Sequence, residues 1–177
     1  MIRFSLSLLI LVGLIAGIPM RAGALERTIG PSGEPVPRFA SLKADEVNVR
    51  QGPGRGHKIK WVFKKLGLPV KIISEYEEWR EIEDHAGATG WVFQGLLSRR
   101  RTAVTLDPQL EGKAYISLYE EAEATGTPIA QLGKDVIGHV LTCTGAWCRL
   151  AINKKLKGWV LQSHLWGLFD KEPFKGQ

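Results

Sequence analysis

Cys143 and Cys148 are the only cysteines of this chain, and they are the residues best suited to covalent chemistry. A Cys–His peptidase needs a thiol near a helix start with a histidine beside it. Here Cys148 follows Trp147 in a stretch that alternates like a strand, and Cys143 stands close enough to trap it. The spacing is C-x4-C, not the C-x-x-C of dithiol redox sites. In an oxidising compartment such a pair forms a structural disulfide, and that is the reading adopted.

Other reactive types are set in poor patterns. Asp45 with Glu46, or Glu77 with Glu78, would serve as acid–base pairs only outside the charged, turn-like stretches they occupy, so no catalytic residue is assigned. His57, His85, His139 and His164 show no pair at zinc-binding spacing. Neither a metal nor another cofactor is expected. Gln51 to Gly56 holds three glycines and a proline, but a phosphate-cradling loop leads into a helix and ends in Lys-Ser/Thr. Ile59 to Phe63 reads instead as a strand. Arg99-Arg100-Arg101 has the chemistry to hold a phosphate or carboxylate polymer, yet a run of this kind reads more simply as a solvated connector.

Aromatic and cationic residues remain. Trp61, Tyr76 and Trp91 are candidate groove residues for an extended chain, with Arg50, Arg55 and Lys58 as nearby cations for carboxylates. Trp79, Trp91, Trp147 and Trp159 recur in both halves of the chain, which points to packing in the core. Trp61 and Tyr76 do not recur and are the better ligand residues.

The halves are set by a gapless repeat. Trp79, Ile82, Gly90, Trp91, Val92, Gln94 and Leu97 stand 68 residues before Trp147, Leu150, Gly158, Trp159, Val160, Gln162 and Leu165. In the first unit, Val47–Arg50, Ile59–Phe63, Val70–Ser74, Trp79–Ile82 and Gly90–Phe93 read as short strands separated by polar turns. Leu96-Leu97 reads as a single helical turn. Gly90 and Gly158 are expected where a strand bends at a barrel corner.

The fold class is therefore all-β: two tandem five-stranded antiparallel barrels after an N-terminal signal peptide. The expected boundaries are a leader at 1–24, a flexible Pro/Gly tail at 25–38, barrels at 39–98 and 113–169, a linker at 99–112 and a fraying C-terminal tail at 170–177. Ile129, Leu132, Val136, Ile137, Val140 and Leu141 are expected to fill the second core. Leu165 to Phe169 is expected across a barrel end or the groove between the units. Two marginal barrels joined so closely are expected to form one fixed body.

Shifting Cys143 and Cys148 back by 68 gives Glu75 and Arg80. Both pairs flank a hairpin tip, which places the partners across the strands. One unit would then be stapled covalently and the other by an ion pair, read as exposed.

The leader has a basic start, an uncharged apolar run from Phe4 to Ile18, Pro19, and an Ala22-Gly23-Ala24 cleavage site. The run is shorter than the roughly 20 residues of a spanning helix, so a cut after Ala24 is preferred over an uncleaved anchor. Removing Arg3 and Arg21 lowers the formal charge from +6 to +4. That mild excess favours anionic surfaces weakly and makes nucleic acid a poor partner. Membrane contact is expected only through an uncleaved leader.

Val47-Asn48-Val49-Arg50-Gln51-Gly52-Pro53, Trp79 and Gly90-Trp91-Val92 resemble bacterial SH3-like domains. Cys143 to Arg149 with Gly158-Trp159-Val160 is similar to the second repeat of exported tandem proteins of that family. Tyr115-Ile116-Ser117-Leu118 departs from the Asn-Val-Arg-x-Gly-Pro pattern, so the second unit need not bind the same ligand. The resemblance implies a periplasmic or secreted, non-enzymatic binding or adaptor protein of the cell envelope. Its partner would be peptidoglycan, another cell-wall polymer or a peptide. The other reading is a structural partner of a second envelope protein.

Overall fold

A computed structural model describes residues 27–176. The expected leader and its cut lie outside the described residues. Among those residues the only helical segments are three 3-10 turns, and no helix is long and apolar enough to cross a membrane.

The first unit is a seven-stranded antiparallel sheet. A short hairpin, β1 (Thr28–Ile29) with β2 (Pro35–Val36), precedes it. The sheet strands are β3 (Arg38–Leu42), β4 (Val47–Arg50), β5 (Ile59–Phe63), β6 (Pro69–Tyr76), β7 (Trp79–Glu83), β8 (Thr89–Phe93) and β9 (Leu97–Ser98). Their spatial order is β5-β4-β8-β7-β6-β3-β9. Alternation decides which side chains enter the core: Val47, Val49, Val70, Ile82 and Val92 are fully buried, while their strand neighbours face outward. A 3-10 turn at Gln94–Leu96 takes in Leu96 of the helical turn expected at Leu96-Leu97, but Leu97 already belongs to β9.

The second unit contains β10 (Thr102–Thr105), β11 (Ile116–Leu118), β12 (Ala130–Leu132), β13 (Ile137–Thr144), β14 (Trp147–Ala151), β15 (Lys157–Leu161) and β16 (Leu165–Trp166). A last strand, β17 (Pro173–Lys175), pairs with the end of β13. β11 and β12 form their own ladder, tied to β15 by the Tyr119–Trp159 bridge. Val140, Cys148, Leu150 and Val160 are fully buried at its centre.

Gly90 and Gly158 lie inside β8 and β15, where another strand crosses closely. A Cβ on Gly90 would stand 2.5 Å from Val49 Cγ1 and 3.0 Å from the Arg50 carbonyl oxygen. On Gly158 it would stand 2.6 Å from the Tyr119 carbonyl oxygen. Hydrogen alone fits there.

Several sequence expectations change. The sequence predicts a flexible tail at 25–38, of which the structure describes residues 27–38. Instead Thr28 pairs with Val36, and Ser32 hydrogen-bonds Glu75 of β6. The expected linker contains β10, whose four residues are all buried, so it carries no alternation to betray it. The expected fraying tail supplies β17. The four repeated tryptophans are half-buried on the outer side of their strands, not in the core, because Arg80, Ile82, Val92, Cys148 and Val160 take the inward positions. Ile129 is 45% exposed and lies just before β12.

The units meet through specific contacts. Phe39 of β3 packs edge-on to Trp166 and tilted against Phe169, with ring centroids 5.1 and 4.9 Å apart. Thr102 Oγ1 donates to the Gly67 carbonyl at 2.7 Å, and Lys65 Nζ to the Asp135 carbonyl at 2.6 Å. Leu165 to Phe169 thus reaches the junction, as the sequence suggested.

Candidate ligand-binding face

Strand register assembles the outward side chains of the first unit into rungs. Tyr76 pairs with Trp79, and Trp79 with Phe93, so these three stand side by side across β6, β7 and β8. The Trp79 and Phe93 centroids are 5.8 Å apart in an edge contact. One rung along, Ser74, Glu81, Trp91 and Arg50 are aligned across β6, β7, β8 and β4. Tyr76 is 53% exposed; Trp79, Trp91, Phe93 and Arg50 are half-buried. The result is an outward-facing aromatic surface with a cation and a carboxylate set into it.

The glycine-rich loop completes one margin. Arg50 Nη1 donates to the His57 carbonyl at 2.8 Å, and the His57 ring lies over Gly52, where a Cβ would come within 2.7 Å of it. The loop is closed on itself by Gln51 N–H donating to the Lys58 carbonyl at 2.9 Å. Arg55, exposed on this loop, brings its guanidinium to 5.9 Å from the Phe93 centroid.

Four of the six sequence candidates, Arg50, Arg55, Tyr76 and Trp91, therefore border one surface. Lys58 is exposed on the returning limb of the loop. Trp61 is placed elsewhere: it pairs with the buried Val49 and packs against the first core. Its Nε1 is buried without a hydrogen-bond partner. Sequence reasoning missed Trp79 and Phe93 as face residues. The signal was available in strand parity, since Arg80 and Ile82 on one side imply Trp79 and Glu81 on the other.

Behind the face, at the end of the sheet, Glu75 ties three segments together. Arg80 Nε lies 3.0 Å and Arg38 Nη2 2.6 Å from Glu75 Oε1, and Ser32 N–H donates to Oε2 at 2.9 Å. The Glu75 and Arg80 side chains are 1% and 6% exposed. The pair is buried, contrary to the exposed ion pair expected, because the β1–β2 hairpin covers it. Burial alone would raise the Glu75 pKa. The hydrogen bonds from Ser32 and Arg38 outweigh it and hold the carboxyl below its usual range. In the second unit Cys143 and Cys148 are cross-strand partners at the matching position and are bonded, with S–S 2.07 Å.

The second unit repeats the outer face with altered chemistry. Trp147 pairs with Leu161 and Arg149 with Trp159, while Tyr119 bridges to Trp159 where Arg50 pairs with Trp91. The Tyr119 and Trp147 rings meet edge-on at 5.7 Å. Among the described residues no group of acids, histidines and cysteines is placed to hold a metal ion.

A 66-residue stretch is 36% identical to the putative N-acetylmuramoyl-L-alanine amidase YrvJ of Bacillus subtilis (strain 168), covering 37% of this chain and 12% of that protein. The chain thus spans about an eighth of that curated relative. Among solved structures, NlpC1 from Trichomonas vaginalis matches at 12% identity and TM-score 0.34, over 81% of this chain and 48% of its own. NlpC2 from the same organism matches at 12% identity and TM-score 0.32, over 73% and 48%. The family model for the bacterial SH3 domain matches twice, at residues 43–99 and 112–167, one match on each unit. The chain belongs to the bacterial SH3 domain family, as a tandem pair.

Proposed function

We propose that the chain is a non-enzymatic binding or adaptor protein that works outside the cytoplasm, in the bacterial cell envelope, and recognises peptidoglycan or a peptide. The observation that carries this reading is the outward ladder of Tyr76, Trp79 and Phe93, flanked by Trp91, Arg50 and Arg55. Aromatic faces supply large contact area at low entropic cost, and the arginines suit the carboxylates of a peptide stem. The amidase name of the Bacillus subtilis relative supports a cell-wall ligand. The Cys143–Cys148 bond occupies both thiols, which supports binding rather than nucleophilic catalysis. The direct test is titration with soluble muropeptides, followed by the amide signals of the protein. Saturable shifts at Tyr76, Trp91 and Phe93 are expected; shifts confined to other surfaces would remove the face from the proposal.

The structural-partner reading has one observation in its favour. β5 ends the first sheet, and Ile59 and Val62 on it are 47% and 36% exposed. An apolar edge strand is a template for pairing with another chain. On that reading, crosslinking in whole cells captures one envelope protein through β5, and the protein does not bind the wall.

A further inference from the structure

A concave site lies away from the aromatic face. The β1–β2 hairpin, β3, the arginine run and the segment after β16 enclose a cavity of about 590 Å³. That is within the range of small-ligand pockets, roughly 300–1,000 Å³. Five arginines contribute to its lining: Arg27, Arg38, Arg80, Arg99 and Arg101.

Three carboxylates balance them incompletely. Glu75 is shared by Arg38 and Arg80. Glu172 Oε2 lies 2.8 Å from Arg101 Nη2, and its Oε1 4.0 Å from Arg27 Nη2. Glu34 meets Arg99 Nη2 at 2.5 Å. Five guanidiniums against three carboxylates leave two positive charges in excess at neutral pH.

Open donors remain on two of the five, Arg27 and Arg99. Arg80 gives its N–H groups to Glu75, Gln94 Oε1 and the carbonyls of Glu77 and Trp79, so it is committed to the fold. Arg27 differs. Its guanidinium stacks on Phe169 at 4.1 Å from the centroid and stands beyond hydrogen-bond distance of Glu172. Arg99 is 90% exposed and gives one N–H to Glu34. A guanidinium carries five N–H donors in a rigid fork, so both retain donors for an incoming oxyanion.

The wall also carries an apolar patch, set among polar residues that include Ser32, Gln94 and Ser98. Phe39, Ala40, Ile72, Phe169 and Phe174 line it beside the arginines. A bare inorganic ion would leave that surface in water; an organic acid would cover it. We infer that this inter-barrel cavity binds a small carboxylate with an apolar side group, such as the free carboxyl end of a short peptide, through Arg27 and Arg99. The site is independent of the aromatic ladder and does not rest on the wall-binding proposal.

The test uses N-acetyl-leucyl-alanine as the free acid, its C-terminal amide, and inorganic phosphate at the same ionic strength. Binding is followed by the amide signals of Glu34, Arg99 and Phe169. The free acid is expected to give saturable shifts and the amide to bind at least about tenfold more weakly, the loss of a charge-assisted contact. Arg27→Gln with Arg99→Gln is expected to weaken the free acid by a similar factor while leaving the melting temperature near that of the parent. Equal binding of acid and amide, phosphate binding as tight as the acid, no saturable shifts with the acid, or undiminished binding by the double variant would each overturn the inference. Tyr76→Ala serves as a control and is expected to leave this binding unchanged.

Discussion

Glu75 and Arg80 face each other across the tip of the β6–β7 hairpin, at the position that Cys143 and Cys148 occupy in the β13–β14 hairpin. The first junction is an ion pair at 3.0 Å and the second a covalent bond. Both are buried, and each lies beside an added segment. Ser32 of the β1–β2 hairpin reaches Glu75, and Phe174 of β17 pairs with Cys143.

Removing one partner of a buried pair strands a charge, so Glu75→Gln is expected to cost about 3 kcal/mol. Opening the disulfide by Cys143→Ser with Cys148→Ser is expected to cost about 2 kcal/mol, since it closes a short loop. Urea unfolding of the two variants measures both. A Glu75→Gln variant as stable as the parent would show that the pair contributes nothing beyond its neighbours.

Glu77 has φ 48°, and its counterpart 68 residues on is Gly145, with φ 95°. A side chain in this left-handed region costs roughly 1–2 kcal/mol. Glu77→Gly is therefore expected to stabilise the protein by about 1 kcal/mol, read as a raised urea midpoint at unchanged slope. Its carbonyl remains to accept from Arg80.

Acid should weaken the protein through two carboxylates. Burial would raise the pKa of Glu172, but hydrogen bonds from Arg101 and the Phe169 N–H, and the charges of Arg101 and Arg27, hold it below the usual range. Glu75 is lowered likewise. A depressed folded-state pKa contributes stability that is complete above the unfolded value of about 4.3 and shrinks as pH falls through the folded one. The melting temperature is expected to be flat with respect to these groups above about pH 5 and to drop below about pH 4. Glu172→Gln should lower it at pH 7 and flatten the acid limb.

Gly90→Ala and Gly158→Ala are each expected to destabilise by about 1–3 kcal/mol, because the added methyl meets Val49 and Arg50 in one case and the Tyr119 carbonyl in the other. Thermal unfolding checks both. Because Phe39, Trp166 and Phe169 join the units, either change should shift one shared transition and not split it in two.

The 68-residue repeat and the strands β7 and β8 were legible because their alternation is strict and their turns are polar, and β6 because its residues are β-branched, although a register shift between Ile72 and Ser74 breaks its period. β10 was hidden: Thr102-Ala103-Val104-Thr105 is buried on both faces and follows three arginines, so no period shows. The β1–β2 hairpin and β17 were hidden for another reason. They are two or three residues long, contain proline, and acquire their place from partners far along the chain. The site was half legible. Arg50, Arg55, Tyr76 and Trp91 were found by chemistry, but Trp79 and Phe93 join them only through register. Recurrence in both units marked the tryptophans as core, whereas the repeated feature is an outward face.

Sedimentation with purified peptidoglycan tests the central claim most directly. The parent is expected to pellet with the polymer at low salt, and a Tyr76→Ala, Trp79→Ala double variant to stay in the supernatant with its fold retained. Trp61→Ala, whose ring covers the first core, should lose about 2 kcal/mol of stability and keep its binding below its melting temperature. A parent that stays in the supernatant, or a folded double variant that pellets as the parent does, would contradict the assignment of wall binding to the first barrel's aromatic face.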